Sequence, residues 1–302
     1  MSRILNTCYL CNGNLKFKFS RFSEPLQREF DIYGCQYCKN WQIYPLPDQN
    51  ILNDLYESKY FSKRTSRGYN DYAGEQVKKS VLSTLNKNLN DLNFFSWESR
   101  LVEKKSLEIG AASGHFVEFL QLRGWNAAGI DISKSMTDAG KKIGLNMIYG
   151  DFLAYEFNQG KHGKFDLVSL WATLEHLPNP DKYINKICRL LKPDGHLYLS
   201  TTNTGFWARI YGPRWRYLNV PEHIYYFNKK SLGYLFKKYG LKINSAFTYG
   251  SGFTARENSS LGYRLLKNIF DRSARYFFSG DMIVLDIVFQ HSGNSINTGD
   301  IA

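Results

Sequence analysis

The chain has 302 residues, of which 43% are hydrophobic and 22% are charged, a composition typical of a globular protein with a substantial core. It contains no run of about 18 apolar residues and no signal-peptide pattern at its start, so neither a membrane span nor secretion is predicted and we expect a cytoplasmic protein. The net charge of +12 favours an anionic partner, such as nucleic acid, a nucleotide-linked sugar or an acidic lipid headgroup.

Two C-x-x-C pairs lie near the start of the chain, Cys8 with Cys11 and Cys35 with Cys38. Each pair can supply two thiolates to a tetrahedral zinc site, and the alternating residues between the pairs predict short strands. Residues 1–47 are therefore predicted to form a zinc ribbon. Four thiolates leave no open coordination position, so this zinc would be structural. A redox pair and unrelated free thiols are the alternatives.

Residues 48–97 are interpreted as a linker that contains a lid and a helical segment. Tyr60 and Tyr69 lie in a polar stretch with several aromatic residues. They either touch the substrate as part of a lid or pack within a surface linker. From Val77 to Leu92 apolar residues recur at helical spacing, which predicts an amphipathic helix before the main domain.

The stretch Lys105–Phe116 predicts a ligand site. It begins with a buried strand that carries Glu108, continues with a loop of small residues, Gly110–Gly114, and ends in apolar residues at helical spacing. The next apolar run ends at Asp131, about where an acid reaches a ribose in doubly wound nucleotide-binding folds. This pattern places a ligand at the carboxyl edge of a parallel sheet, and an ordinary strand-to-helix turn is the alternative.

The same loop disfavours a dinucleotide. That cofactor requires G-x-G-x-x-G, and Ala112 and His115 stand where the second and third glycines belong. Gly110 and Gly114 carry no Cβ, which lets a ligand approach the backbone closely.

Strand-like and helix-like segments alternate from residue 98 to residue 292. This alternation predicts an α/β fold, a Rossmann-like seven-stranded, mostly parallel sheet with helices on both faces. The predicted strands are Leu107–Ile109, Trp125–Asp131, Asn146–Asp151, Lys164–Leu170, His196–Ser200, Lys242–Tyr249 and Met282–Gln290. A basic amphipathic helix, Tyr263–Phe278, is expected to pack on this domain, with peripheral membrane contact as the alternative. Residues 293–302 have the composition of a disordered tail.

These motifs resemble, in their order, those of class I S-adenosylmethionine-dependent methyltransferases, with residues 98–292 as the domain. The loop is similar to their E-x-G-x-x-x-G variant, and Val220–Phe227, with its Pro-Glu-His, is similar to a branch of sugar and small-molecule methyltransferases with an N-terminal zinc ribbon. The matching motifs are Glu108–Gly114, Asp131, Gly150-Asp151, Phe165-Asp166, Glu175–Pro180 and Leu191–Gly195.

The resemblance implies S-adenosylmethionine as the cofactor, beside the structural zinc. The expected acceptor is a small, anionic molecule, with a sugar hydroxyl on a nucleotide- or lipid-linked carrier as the favoured case. An RNA base methyltransferase and a non-enzymatic cofactor-binding protein are the two alternatives.

The resemblance also assigns roles to individual residues. Glu108 and Gly110 would face the methionine part of the cofactor, Asp131 the ribose hydroxyls and Asp151 the adenine amino group. The complete predicted cofactor set is Glu108, Gly110, Ala112, Gly114, Asp131, Ile132, Asp151, Phe152 and Trp171.

Two Glu-His pairs are the candidates for chemistry, Glu175-His176 and Glu222-His223. An alcohol acceptor has to lose a proton, and histidine suits that task near neutral pH. We predict His223 as the general base, with Glu222 beside it and His176 as the second candidate. His176 bonding a loop carbonyl and His223 capping a helix are the structural alternatives. The predicted substrate contacts are Tyr60, Tyr69, Arg214 and Tyr226.

Overall fold

The computed structural model describes residues 7–24, 26–48, 51, 74–157, 164–250 and 260–289. The strands are β1 (Leu15–Ser23), β2 (Arg28–Cys35), β3 (Trp41–Ile43), β4 (Lys105–Ile109), β5 (Asn126–Asp131), β6 (Met147–Tyr149), β7 (Phe165–Trp171), β8 (Leu191–Thr202), β9 (Tyr225–Tyr226), β10 (Leu241–Tyr249) and β11 (Met282–Phe289). The helices are α1 (Glu75–Asp91), α2 (Phe94–Glu98), α3 (His115–Gln121), α4 (Lys134–Lys142), α5 (Pro180–Leu190), α6 (Phe206–Tyr211), α7 (Lys229–Lys237) and α8 (Leu261–Phe277). Short 3-10 turns cover Leu174–His176 and Gly212–Arg214.

The larger sheet has the strand order β10-β11-β8-β7-β4-β5-β6. Strands β8, β7, β4, β5 and β6 are parallel, and β11 runs antiparallel to both β8 and β10. The predicted Rossmann-like fold with seven mostly parallel strands is therefore confirmed. The strand order reverses at β4, because the chain continues to β5 on one side and returns to β7 on the other. In such sheets a ligand binds at the carboxyl ends of the strands where the order reverses.

Both faces of this sheet are covered, which explains the nearly continuous apolar sequence of its strands. Val168 and Leu170 face a core cluster that also contains residues of α5 and α7. Leu167 faces the opposite cluster, which contains residues of α1 and α3. The strands are thus fixed from both sides, and the loops at their carboxyl ends start from a rigid base.

The smaller sheet has the order β1-β2-β3-β9 and joins the N-terminal segment to the main domain. Trp41 and Gln42 of β3 pair with Tyr226 and Tyr225 of β9. The Ile43 N–H extends this pairing with a hydrogen bond of 3.0 Å to the Ile224 carbonyl. The N-terminal strands are therefore hydrogen-bonded directly to the Pro-Glu-His segment.

Two predicted segments lie outside the described residues: the lid with Tyr60 and Tyr69, and the tail 293–302.

The predicted basic helix is α8, which packs through the buried Ala274 and leaves Leu261 and Ile269 exposed. In the part of the chain that the structure describes, no helix is both long and apolar enough to cross a membrane.

Candidate functional site

The loop between β4 and α3 is held in an unusual backbone conformation. Gly110, Ala112 and Gly114 all have positive φ angles, of 72°, 47° and 83°. A side chain in this left-handed region costs about 1–2 kcal/mol, so Ala112 is strained where glycine would not be. Its N–H donates to Asp131 Oδ2 at 2.8 Å, which holds the strained turn against the end of β5.

Packing against neighbouring side chains also favours glycine at positions 110 and 114. A Cβ on Gly110 would lie 2.6 Å from the Thr173 side chain. A Cβ on Gly114 would lie 2.8 Å from Met147 Sδ and 2.9 Å from Leu145 Cδ1. Neighbouring side chains thus supply a reason for glycine that the sequence analysis, which considered only the approach of a ligand, did not contain.

Two carboxylates lie beside this loop. Glu108 is buried, and its Oε2 has no hydrogen-bond partner among the described residues. Burial, and then the charge of Asp131, raise the pKa of Glu108 well above its usual value. The half-buried Asp131 accepts from Ser133 N at 2.7 Å as well as from Ala112 N, and burial raises its pKa too. Because each carboxylate oxygen has two lone pairs, Asp131 can still accept further hydrogen bonds.

This arrangement suits a cationic ligand that carries hydroxyl groups. A buried carboxylate is stabilised by a positive charge, and S-adenosylmethionine carries one on its sulfonium and one on its ammonium group. Glu108 meets that requirement, and Asp131 offers acceptors for a hydroxyl pair. The residues therefore fit this cofactor.

The residues of the predicted adenine site differ in how far their side chains are exposed. Asp151 is exposed and accepts from Leu153 N at 2.9 Å. Phe152 is buried instead, with its ring stacked on Tyr183 at 5.5 Å. Ile132 and Tyr149 are each 53% exposed, and Tyr149 is paired in register with Asp131. Tyr149 was missed by the sequence analysis, although its place at the end of a predicted strand was a usable signal.

Trp171 ends β7 at the same edge of the sheet. Its indole ring lies 5.4 Å from the Phe116 ring at the start of α3. Its Nε1 is buried and has no hydrogen-bond partner within the described ranges. Trp171 belongs to the predicted cofactor set, and its unpaired indole N–H is a polar group at this edge of the sheet.

The two Glu-His pairs lie together, although 46 residues separate His176 from Glu222. The rings of His176 and His223 have centroids 4.7 Å apart and are nearly perpendicular. His176 Nδ1 donates to the Glu222 carbonyl at 2.8 Å, and Ile224 N donates to the Glu175 carbonyl at 2.8 Å. The turn after β7 and the Pro-Glu-His segment are thus locked to each other by reciprocal hydrogen bonds.

Both imidazoles have a defined tautomer. His223 Nδ1 is 3.0 Å from the Tyr217 carbonyl, and a carbonyl can only accept, so Nδ1 carries the proton in both rings. Burial lowers the pKa of His176 to about 4. Burial, and then the charge of His176, lower the pKa of His223 well below its usual value. Both rings are therefore neutral near pH 7, with a lone pair on Nε2.

The two glutamates of these pairs are buried as well. Glu175 Oε2 accepts from Thr201 Oγ1 of β8 at 2.8 Å, and burial raises the pKa of Glu175 to about 7. Burial also raises the pKa of Glu222 to about 7. The sequence analysis named Glu175 as part of a Glu-His pair but gave a role only to the other three residues of the two pairs.

The predicted substrate residues are placed differently from one another. Arg214 is exposed on the 3-10 turn Gly212–Arg214, and Tyr226 is fully buried. The Tyr226 hydroxyl has no hydrogen-bond partner in the described part of the chain. Arg216, which was not predicted, is partly buried and donates to the Tyr217 hydroxyl at 2.8 Å.

The four N-terminal cysteines converge. Their sulfur atoms all lie within 4.8 Å of one another, with Cys8 to Cys38 at 3.7 Å and Cys11 to Cys35 at 3.4 Å. A tetrahedral zinc with bonds of about 2.3 Å places its sulfurs about 3.8 Å apart. The cluster therefore fits a structural zinc, and no disulfide links these thiols.

Comparison with known proteins identifies the family of this chain. The model of a family described as "Methyltransferase domain" matches residues 79–246, which is more than half of the chain. A ubiquinone biosynthesis O-methyltransferase of Dechloromonas aromatica (strain RCB) is 35% identical over 107 residues, or 34% of this chain and 46% of that protein. The protein of the same name from Pseudomonas aeruginosa (strain UCBPP-PA14) is 32% identical over 116 residues, or 37% of this chain and 50% of that protein. The chain thus spans about half the length of the curated relatives it matches.

Solved structures show the same fold at low sequence identity. A chain in the complex of the Haloferax volcanii Trm112 methyltransferase activator with a methyltransferase superposes with a TM-score of 0.50 and 16% identity. The match covers 73% of this chain and 96% of that one. At this identity the likeness shows the fold alone.

These relatives correct the expected acceptor. The sequence analysis favoured a sugar hydroxyl on a nucleotide- or lipid-linked carrier, and that expectation is wrong, because the curated relatives are O-methyltransferases of ubiquinone biosynthesis. The Pro-Glu-His segment misled it, since a short motif can be shared by enzymes with different acceptors. The RNA-base and non-enzymatic alternatives gain no support from these relatives either.

Proposed function

The chain belongs to the methyltransferase domain family, and from that premise we propose that it transfers the methyl group of S-adenosylmethionine to a hydroxyl oxygen of a small molecule. The observation that carries this proposal is the pair of carboxylates, Glu108 and Asp131, beside the left-handed loop where the strand order reverses. The names of the curated relatives support oxygen as the methylated atom.

In this proposal each end of the cofactor has its own residues. Asp131 accepts hydrogen bonds from the ribose hydroxyls through lone pairs that Ala112 and Ser133 do not use. Glu108, whose Oε2 has no hydrogen-bond partner among the described residues, would bind the positive methionine end. Beside Asp151, the predicted adenine contact, the exposed side chains of Ile132 and Tyr149 would form the walls of the site.

The acceptor would bind beside His176 and His223. Methyl transfer is an in-line displacement: a bond forms between the acceptor oxygen and the methyl carbon, and the sulfonium sulfur keeps the electron pair of the bond that breaks. Holding the two partners in line supplies much of the acceleration. The hydroxyl also has to lose its proton, and the Nε2 lone pairs of the two imidazoles are the groups that act on it. In the simplest form His223 takes this proton itself.

The N-terminal segment has a supporting role in this proposal. Zinc on Cys8, Cys11, Cys35 and Cys38 would fix residues 1–47 as a ribbon. Through the pairing of β3 with β9, that ribbon would hold the segment that carries His223. Residues 48–97 then connect it to the methyltransferase domain, residues 98–292.

The test is methyl transfer with a panel of acceptors. The full chain is incubated with methyl-labelled S-adenosylmethionine and, in separate reactions, with phenols, catechols, aliphatic alcohols and amines. We expect label on a hydroxyl oxygen, located by mass spectrometry of the product, and cofactor binding by calorimetry. Transfer to amines only, or no detectable binding of the cofactor, would refute the proposal.

A further inference from the structure

Three side chains beside the proposed acceptor site could together hold a metal ion, a role that the proposed function does not give them. These side chains are Glu175, His176 and His223, and one ligand atom of each lies within 4.8 Å of the other two. Two imidazoles and a carboxylate are the donors that hold divalent zinc, iron, cobalt or manganese in sites with open coordination positions. We propose that this cluster, called here the Glu-His-His cluster, binds one divalent cation, and that the ion binds the acceptor hydroxyl.

The orientation of the imidazoles matches this use. A histidine binds a metal through the nitrogen that carries no proton, and its other N–H commonly donates to a carbonyl, which fixes the ring. Nδ1 of His176 is bound to the Glu222 carbonyl and Nδ1 of His223 to the Tyr217 carbonyl. Nε2 is therefore the ligand atom in both rings. Thr201 holds the carboxylate of Glu175 in the same way.

The charge of the cluster also favours a cation. Glu175 is 1% exposed, and its carboxylate accepts a hydrogen bond from Thr201 Oγ1 at 2.8 Å. A buried carboxylate is stabilised by a nearby cation, and a divalent ion between it and the two imidazoles would supply that charge. Bonds of about 2.0–2.2 Å require donors about 3–4 Å apart, and one ligand atom of each side chain lies within 4.8 Å of the other two.

Backbone hydrogen bonds hold the three ligands close to one another. Glu175 and His176 share one 3-10 turn, and His223 is bonded to that turn through Ile224 N and the Glu222 carbonyl. The turn follows β7, at the same edge of the sheet as the loop between β4 and α3. Three protein ligands leave at least one position open for an oxygen of the acceptor.

This inference rests on the proposed function in one respect, the identity of the fourth ligand. An ion lowers the pKa of a bound hydroxyl, so the proton leaves to water and the oxygen is ready to attack the methyl carbon. His223 then acts on the acceptor through the metal instead of taking the proton itself.

Metal counting on the full chain tests the site independently of activity. After dialysis against Zn²⁺ and then metal-free buffer, we expect two ions per chain, one on the cysteines and one on the Glu-His-His cluster. Glu175→Gln and His223→Gln should each retain one ion and bind the second at least about tenfold more weakly. His196→Gln is the matched control, because His196 also pairs with a carboxylate, that of Asp286, away from the cluster. It should retain two ions.

A Co²⁺ titration of the wild-type chain, followed by absorption spectroscopy, tests for the second metal site even where a variant fails to fold. One equivalent of Co²⁺ should show the intense charge-transfer absorption of thiolate ligands, and a second should show only weak visible bands of nitrogen and oxygen ligands. A single equivalent in the wild type would overturn the inference, as would unchanged binding of two ions in both folded cluster variants. Methyl transfer without the second ion would overturn it too and leave the proposed function standing. Ion binding without any transfer would instead count against the proposed function.

Discussion

Removing the carboxylate of Asp131 should weaken cofactor binding by at least about a hundredfold. In the proposed complex this side chain accepts two hydrogen bonds from the ribose, in addition to those from Ala112 N at 2.8 Å and Ser133 N at 2.7 Å. A hydrogen bond to a charged group contributes about 1.5–3 kcal/mol. Loss of both ribose bonds therefore costs about 3–6 kcal/mol, and each 1.4 kcal/mol is about tenfold in affinity.

Two variants of Asp131 separate the loss of one ribose hydrogen bond from the loss of both. Asp131→Ala removes all the acceptors, whereas Asp131→Asn keeps one oxygen and should lose about half of the binding energy, roughly ten- to a hundredfold in affinity. Asp138→Asn is the matched control, because Asp138 is an exposed acid on the next helix that pairs with Lys134. It should bind the cofactor like the wild type.

The assay is isothermal titration calorimetry with S-adenosylhomocysteine, the stable product form of the cofactor, together with thermal unfolding without ligand. The unfolding curve matters because Asp131 also anchors Ala112 in its strained conformation. A loss of affinity caused by a disrupted loop would appear as a lower melting temperature of the free protein. Wild-type affinity in Asp131→Ala would refute the assignment of the ribose site.

Three further changes probe other parts of the molecule. Ala112→Gly should leave the fold unchanged and raise the free energy of unfolding by up to about 1 kcal/mol in denaturant titrations, because relief of about 1–2 kcal/mol of left-handed strain exceeds the entropy cost of glycine, about 0.5–1 kcal/mol. Cys38→Ser should abolish the thiolate-bound metal and speed amide hydrogen exchange in β9, because β9 pairs with β3; unchanged exchange would contradict that coupling. His223→Ala should lower methyl transfer by about 10²–10⁴-fold in single-turnover reactions, with near wild-type cofactor affinity, and equal turnover would remove His223 from the mechanism.

Much of the larger sheet could be predicted because its signal is local. Strands buried on both faces carry continuous apolar residues, and β4, β5 and β7 lie within one or two residues of their predicted positions. Strand β8 is the exception, since it starts at Leu191 and not at the predicted His196. Its pairing with β7 is irregular between Phe165 and Leu167, because the partner residue changes there from Leu191 to His196 and the Lys-Pro-Asp-Gly sequence between them is left out of the ladder.

The residues of the proposed cofactor site could also be predicted from the sequence, because acids at strand ends and a loop of small residues are contiguous patterns. The burial of individual side chains was not. Phe152 follows the exposed Asp151 directly, yet it is buried against Tyr183 of α5. A residue's neighbours across the fold decide its burial, and those neighbours are far away in the chain.

The sequence by itself determined the residue types, the strands of the larger sheet and the spacing of the four cysteines, since each is encoded in short-range periodicity and spacing. Only the tertiary structure decided that Glu175-His176 and Glu222-His223 form one cluster and that β3 extends onto β9. A two-residue strand has no periodicity to detect. The meeting of His176 with His223 depends on the path of the whole chain between them, which is set by the packing of both core faces and not by any local pattern.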